Sequence, residues 1–260
     1  MSRAAALAVW YEAHGRHDLP WRGCYDRWSV LVSEVMLQQT QVSRVLLAWP
    51  AFIGRFPTPA VMATSSVGAV ITAWDRLGYP RRARRLWESA RIIQDGGWPT
   101  DLTELPGIGR YSAAAICAQA ENANVPAIEV NIRRVVQRAS GATLSDRNAE
   151  IASVRFGSGL RGRDRLLALM DLGATVCTAR APACPACPLR RRCATRGVLE
   201  NEVRSRQAAF AGSFRQRRGV VMARLRTEVE VDQGELDLDA LTSLVADGLA
   251  VVRGGTASLP

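Results

Sequence analysis

The sequence predicts an all-α fold, and three observations carry that expectation. Apolar residues recur at three-to-four spacing nearly throughout residues 1–195. Strand-like alternation is almost absent before residue 220. No run of eighteen apolar residues occurs, so no helix is expected to span a membrane. A chain of 260 residues, 48% hydrophobic, is long enough for one large core or two moderate ones.

Taken in order, residues 4–15 form a first helix, with Leu7, Trp10, Tyr11 and His14 on one stripe. The turn RHDLPWR follows at 16–22. Residues 26–41, DRWSVLVSEVMLQQTQ, form a second helix whose apolar face is Trp28, Leu31, Val32, Val35 and Met36. Asp26 is its natural N-cap, and Ser29 occupies the capping-box position three residues on. Further helices are expected at 42–54, 59–63, 66–76 and 81–95, the last opening on the basic run RRARRL. A short helix at 101–105 and a small-residue helix at 110–120 flank the turn Leu105-Pro106-Gly107-Ile108-Gly109. Helices at 128–139, 147–156 and 163–173 lead to a cysteine-bearing loop. Beyond residue 200 the composition shifts, with helices expected at 214–225 and 236–246. Gly254-Gly255 between short β-prone runs reads as a hairpin, which completes a small winged-helix-like unit. Trp10, Trp28, Trp49, Trp74 and Trp87 fall on apolar helix faces and are assigned to the core. His14 and His17 flank a turn, and two imidazoles alone make no metal site; Cys24 and Cys117 read as packing thiols.

A net charge of +10 points to an acidic partner. All 34 basic residues are arginine, so no lysine side chain is available to form a Schiff base with a sugar or carbonyl substrate. Clustered cysteines suggest a reducing cytosol. The first residues are too polar after one turn for a signal peptide, so a cytoplasmic location is expected.

Three stretches carry chemistry. Cys177, Cys184, Cys187 and Cys193 are spaced C-x6-C-x2-C-x5-C, and Pro182, Pro185 and Pro188 keep that stretch in loop conformation. Zinc and an iron–sulfur cluster both accept four thiolates, so the spacing alone leaves both open beside ordinary buried cysteines. The turn LPGIG places two glycines where backbone can closely approach another surface, and N–H groups at the next helix start can face a phosphate. Glu34 has Val30, Leu31 and Leu37 as helical neighbours, surroundings in which a carboxyl keeps its proton and can act as a general acid. A salt-bridged core glutamate is the alternative reading of that residue.

SEVMLQQTQV at 33–42, taken with LPW at 19–21, LGY at 77–79, LPGIGR at 105–110 and the cysteine spacing, resembles the adenine DNA glycosylase (MutY) family of the endonuclease III superfamily. The likeness covers about residues 7–196. It implies a two-lobed helix-hairpin-helix DNA glycosylase fold with a C-terminal [4Fe–4S] cluster loop on Cys177, Cys184, Cys187 and Cys193. A six-helix barrel lobe with the hairpin would span 24–128, the cluster lobe 1–23 plus 129–196, and a basic linker with the winged-helix-like tail 197–260. The tail matches the FxGSxRQxRG pattern of short actinobacterial-type members and is too small for the family's 8-oxoguanine-reading domain.

The resemblance also implies roles. Glu34 would protonate the flipped adenine at N7. Glu129 stands where the family has an aspartate before x-Asn-[Val/Ile]-x-Arg and against the sugar, in Glu129-Val130-Asn131-Ile132-Arg133-Arg134, with Asn131 part of the same motif. Trp21 and Arg22 would lie by the base pocket, Gln38 and Gln39 by the opened pair, and Tyr79 would wedge into the stack, with Pro80 leaving one ring there. Leu105, Gly107, Gly109 and Arg110 would meet phosphate, assisted by a monovalent cation. Tyr111 occupies the position of the Schiff-base lysine in bifunctional relatives, which implies a monofunctional hydrolase. Arg180, Arg190, Arg191, Arg192 and Arg196 of the cysteine loop, and Arg215, Arg217 and Arg218 of the tail, are expected on phosphates. Asp146, Asp164 and Asp171 are poorer candidates for the second carboxylate, with Asp164 expected to cap the helix before the cysteine loop. The expected partner is double-stranded DNA bearing an adenine mispaired with 8-oxoguanine or guanine, bound by a monomer. A thymine or uracil glycosylase of the same fold, or a weakly active DNA-binding homologue because of Glu129, are the alternatives.

Overall fold

The structure, a computed structural model, describes residues 2–200, 202 and 209–260. It is built from helices, and the chain divides into two compact units: residues 1–34 with 109–204, and 35–108 with 205–260.

The first unit holds α1 (Arg3–His14), the opening of α2 (Arg27–Leu37), α7 (Arg110–Glu121), α8 (Val130–Ser140), α9 (Asp146–Phe156) and α10 (Gly162–Asp171). Side-chain caps start several of them. Ser2 accepts from the Ala5 N–H of α1, Ser145 from the Asn148 N–H of α9, and Asp26 from the Ser29 N–H at 2.7 Å, as its position before α2 predicted. Helix α10 packs on α1, α7 and α8, around Leu7, Ile132, Val135, Leu166, Leu169 and Leu172. Asp164 lies in the first turn of α10, whose cap position is Arg161, so the capping expected of it is not made. A π-helical turn, Leu172–Val176, then redirects the chain into the cysteine loop. Gly173 of that turn backs onto α8, where a Cβ would stand 2.6 Å from the Asn131 carbonyl oxygen.

The second unit holds α3 (Val42–Arg55), α4 (Pro59–Ala63), α5 (Val67–Trp74), α6 (Arg81–Gly96), α11 (Phe214–Thr227) and α12 (Leu238–Ala246). Helices α4 and α5 pack on α6, and Phe52 meets Phe56 and Trp74 edge to face at 5.1 and 5.6 Å. Strands β1 (Val231–Asp232), β2 (Val251–Arg253) and β3 (Thr256–Ser258) form an antiparallel sheet in the order β1-β3-β2 beside α11 and α12. This is the winged-helix-like unit expected, with β1 added; two residues are too few to show as alternation in sequence.

Several boundaries differ from the sequence expectation. Helix α2 stops at Leu37, leaving Gln38 and Gln39 in a turn with Gln39 at φ +56°. The helix expected at 101–105 is a single 3-10 turn, Leu102–Glu104, and α8 begins at Val130 because Glu129 caps it. The compact units part at 34/35 and 108/109, not at 23/24 and 128/129, and the tail joins residues 35–108. Two contacts explain the last point. The Gly68 N–H of α5 donates to the Pro260 carbonyl at 2.8 Å, and Asp247 receives Arg81 of α6 on its carboxylate and Arg84 on its carbonyl. Of the expected basic linker, residues 201 and 203–208 lie outside the described residues.

The tail arginines are answered by acids of the tail. Arg217 pairs with Asp237 at 2.6 Å and Asp239 at 2.9 Å, and Arg218 with Asp247. Their charge is therefore largely neutralised locally, against the expectation that they meet phosphate. Arg215 lies over the Phe210 ring at 5.8 Å.

Candidate active site

Glu34 sits in the middle of α2, 7% exposed, among residues chosen for burial. Its Oε1 accepts from Gln119 Nε2 of α7 at 2.7 Å, and the Tyr111 hydroxyl donates to the same carboxylate. Burial pushes the carboxyl up to about 7, against the opposing pull of those two hydrogen bonds and of Arg22. Glu34 is therefore a carboxylic acid that is substantially protonated near neutral pH, the state a general acid requires. Among the described residues no basic side chain pairs with it in the way a salt-bridged core glutamate would need; Arg22, whose charge it feels, is committed to Asp171.

Arg22 lies in the turn Pro20–Gly23 and is buried with Trp21. Its Nη2 donates to Asp171 Oδ1 at 2.8 Å, and Arg16 binds the same carboxylate at 2.6 Å. Asp171 is wholly buried and ends α10. Although a poorer candidate for the second carboxylate, it anchors the guanidinium whose charge Glu34 feels. A lone aspartate inside LLALMDLG was the available signal, since a buried charge must be paired.

The second carboxylate, Glu129, closes the start of α8. Oε1 accepts from the Ile132 N–H at 2.9 Å and Oε2 from Asn131 Nδ2 at 2.9 Å. Burial raises its carboxyl, and the hydrogen bonds from Asn131 and Ile132 and the Arg134 charge oppose that rise. Glu129 thus caps α8 with its side chain, and it remains close enough to Glu34 to be felt as a like charge. Tyr111, whose hydroxyl is raised well above its ordinary value by burial and by both glutamates, stands beside the two. Arg134 donates to Asn131 Oδ1, Gly173 O and Cys177 O, each at 2.6 Å, so α8 and the cysteine loop are fastened to one guanidinium. Gln119 lies in no motif, whereas Arg134 is the arginine that closes the Glu129-x-Asn131-Ile132-x-Arg motif.

In the same unit, the four cysteines Cys177, Cys184, Cys187 and Cys193 are unbridged and line one cavity with Val176 and Pro182. Arg138, buried at 1% exposure and paired with Glu202 at 2.9 Å, directs Nη1 at the Cys177 sulfur from 3.5 Å. A guanidinium aimed at sulfur suits a thiolate. Among the described residues no group of three or more His, Cys, Asp or Glu is drawn tightly enough to hold a single metal ion. Arg180, Arg190, Arg191, Arg192 and Arg196 are exposed around this loop.

In the hairpin Leu105–Gly109 one expectation fails, because Leu105, expected on phosphate, turns its side chain into the core at 1% exposure. Leu105 and Ile108 are buried, and Gly107, Gly109 and Arg110 are exposed. Gly107 has φ +82° and lies under Arg85, whose Cδ would stand 3.0 Å from an added Cβ. Gly109 caps α7 with no side-chain hydrogen bond and has open space where a Cβ would be. The first N–H groups of α7 therefore face an accessible surface, a ready anion site. In the second unit Gln38 Nε2 donates to the Gly107 carbonyl at 3.4 Å, Gln39 is exposed, and Tyr79, 38% exposed, follows Gly78 in a turn where both have positive φ.

A buried acid served by a tyrosine and a glutamine, and a separate glycine hairpin that leads into a helix with open N–H groups, are features of a helix-hairpin-helix DNA glycosylase. Residues 32–153 match the HhH-GPD superfamily of base excision DNA repair proteins. The solved structure of a thermostable thymine-DNA glycosylase superposes with a TM-score of 0.66, at 25% identity, over 74% of this chain and 94% of its own. Endonuclease III trapped on DNA superposes at 0.62 and 20% identity, over 74% and 93%, which supports the fold. Adenine DNA glycosylase of Mycolicibacterium smegmatis is 42% identical over 94% of this chain and 90% of its own length. The Mycobacterium tuberculosis enzyme of that name is 41% identical over 94% and 88%, and the human one 34% over 80% and 42%. The chain belongs to the adenine DNA glycosylase family.

Proposed function

We propose that this enzyme hydrolyses the N-glycosidic bond of adenine mispaired with 8-oxoguanine or guanine in duplex DNA, without strand cleavage of its own. The observation that carries the reading is Glu34, a buried acid held near neutral pH in its protonated form by desolvation. Adenine is a poor leaving group as an anion. Proton transfer from Glu34 to N7 lets the electron pair of the C1′–N9 bond depart on a neutral base. Cationic charge then develops on the sugar, and the Glu129 carboxylate, fixed by two hydrogen bonds, is the anion available to stabilise it. Water adds at C1′ and gives up its proton, which leaves an abasic sugar. Tyr111 stands at the position of a Schiff-base lysine, and the chain has no lysine at all, so no covalent imine with a side chain forms.

The duplex would be held at the Gly107–Gly109 turn, where a monovalent cation would assist, and by the exposed arginines of the cysteine loop. Trp21 and Arg22 would border the extruded base, while Gln38, Gln39 and Tyr79 would meet the opened pair. Cys177, Cys184, Cys187 and Cys193 would hold a [4Fe–4S] cluster, which supplies iron–thiolate bonds that fix the loop's shape. The protein would act as a monomer.

The test is a panel of duplexes carrying A opposite 8-oxoguanine, A opposite G, and T or U opposite G, incubated with pure protein and then treated with hot alkali. Strand breaks at adenine that appear only after alkali are the expected result. Removal of T or U with adenine left intact would assign the thymine or uracil activity instead. Tight binding with no excision from any duplex would make the protein a non-catalytic homologue.

A further inference from the structure

Three of the four arginines in the basic run RRARRL at the start of α6 are engaged by partners within the second unit. Arg81 and Arg84 meet Asp247, and Arg85 covers Gly107. Arg82 is the most committed of them. It is 7% exposed and has no carboxylate partner among the described residues. Its Nη1 donates to the carbonyls of Val35, Met36 and Gln38 at 2.8, 3.0 and 2.5 Å. Its Nη2 donates to Thr40 Oγ1 and to the carbonyls of Leu77 and Gly78 at 2.9, 3.2 and 3.0 Å. The guanidinium carbon lies 5.1 Å from the Trp74 ring centroid and 5.5 Å from that of Tyr79. One side of the guanidinium thus closes the end of α2 and the Gln38–Gln39 turn, and the other closes the Gly78–Tyr79 turn.

Both turns carry a strained residue. Gln39 has φ +56° and Tyr79 has φ +48°, in the left-handed region that suits glycine. Such a conformation is strained for a residue with a Cβ and persists only where the surroundings over-determine it. The four N–H groups of Nη1 and Nη2, shared among six acceptors, supply that determination.

We propose that Arg82 is a positioning residue that sets Tyr79 and the Gln38–Gln39 turn as one rigid reading edge, so that it governs discrimination of a mispaired from a matched duplex. This rests on the reading that Tyr79 enters the opened pair. Lysine cannot replace it, because a single ammonium with three donors cannot serve two turns at once.

The experiment is a double-mutant cycle on the full chain with Arg82→Lys and Tyr79→Ala, using fluorescence anisotropy to measure the Kd ratio of a matched duplex to one bearing A opposite 8-oxoguanine. Each single substitution should lower that ratio about tenfold, and the pair together no more than about twofold further, because both remove the same interaction. Losses that multiply in the double variant, or an intact ratio in Arg82→Lys accompanied by a lower melting temperature, would overturn the proposal. If Arg82→Lys does not fold, Thr40→Val, which removes one acceptor, should lower the ratio about threefold in the same cycle; an unchanged ratio would overturn it. Wild-type protein that excises adenine while the cycle fails would sink only the role of Arg82; wild type that shows no preference for the mispair would sink the functional reading beneath it.

Discussion

Replacing Glu34 by glutamine should abolish excision and, at alkaline pH, make the protein more stable. Burial raises the Glu34 carboxyl from 4.5 to about 7. Below pH 4.5 the group is neutral in both folded and unfolded chains and has no effect on their balance. As pH rises from 4.5 to 7, the unfolded chain ionises Glu34 while the folded protein keeps it protonated, so stability is progressively lost. Above pH 7 both states are ionised and the loss is complete. At about 1.4 kcal/mol per pH unit over that interval, the ionised group costs the fold about 3 kcal/mol. Glutamine keeps the shape, still accepts from Gln119, and needs no proton to remain neutral. Urea unfolding of both proteins at pH 4 and at pH 8.5 measures the difference: near zero in acid and about 3 kcal/mol in favour of Glu34→Gln in alkali. Single-turnover excision should fall roughly 10²–10⁴-fold in the variant. The wild-type rate should decline about tenfold per pH unit above pH 7, as the proton-bearing form is depleted. A Glu34→Gln protein that is less stable than wild type at pH 8.5, or one that still excises adenine at the wild-type rate, would refute this account of the buried acid.

Two further outcomes follow from the same geometry. Aspartate is at least as good an N-cap as glutamate, so Glu129→Asp should keep the first turn of α8 and preserve or raise the excision rate, whereas Glu129→Gln should keep the melting temperature within a few degrees and lose the rate about a hundredfold. Thermal unfolding beside single-turnover kinetics separates the two, and a large loss in Glu129→Asp would show a pocket adapted to the longer side chain. Purified protein should show a broad absorbance near ~400 nm with about four irons per chain, and Cys187→Ser should lose both together; one zinc per chain would contradict the cluster.

Much of the candidate site was legible because its parts are local. SEVMLQQTQV, LPGIGR and the cysteine spacing each lie within a few turns of chain, and periodicity alone placed Glu34 on an apolar helix face. The all-helical class was equally readable, since a 3.6-residue repeat is a property of neighbours in sequence. Charge was less readable. Arg82, Arg217 and Arg218 look alike in a basic chain, yet the first is buried on carbonyls and the others are answered by Asp237, Asp239 and Asp247. Glu129 reads from sequence as a longer carboxylate in an aspartate's place, and only the fold shows that it caps α8 through the Ile132 N–H. Asp171 reads as a bystander before a loop until Arg16 and Arg22, about 150 residues earlier, are seen to converge on it. The reason is physical. Helical phase is set by residues three and four apart, whereas the partner of a buried charge is whichever group the packing of distant helices brings within hydrogen-bond reach. That partner alone decides whether the charge is structure, chemistry or an invitation to DNA.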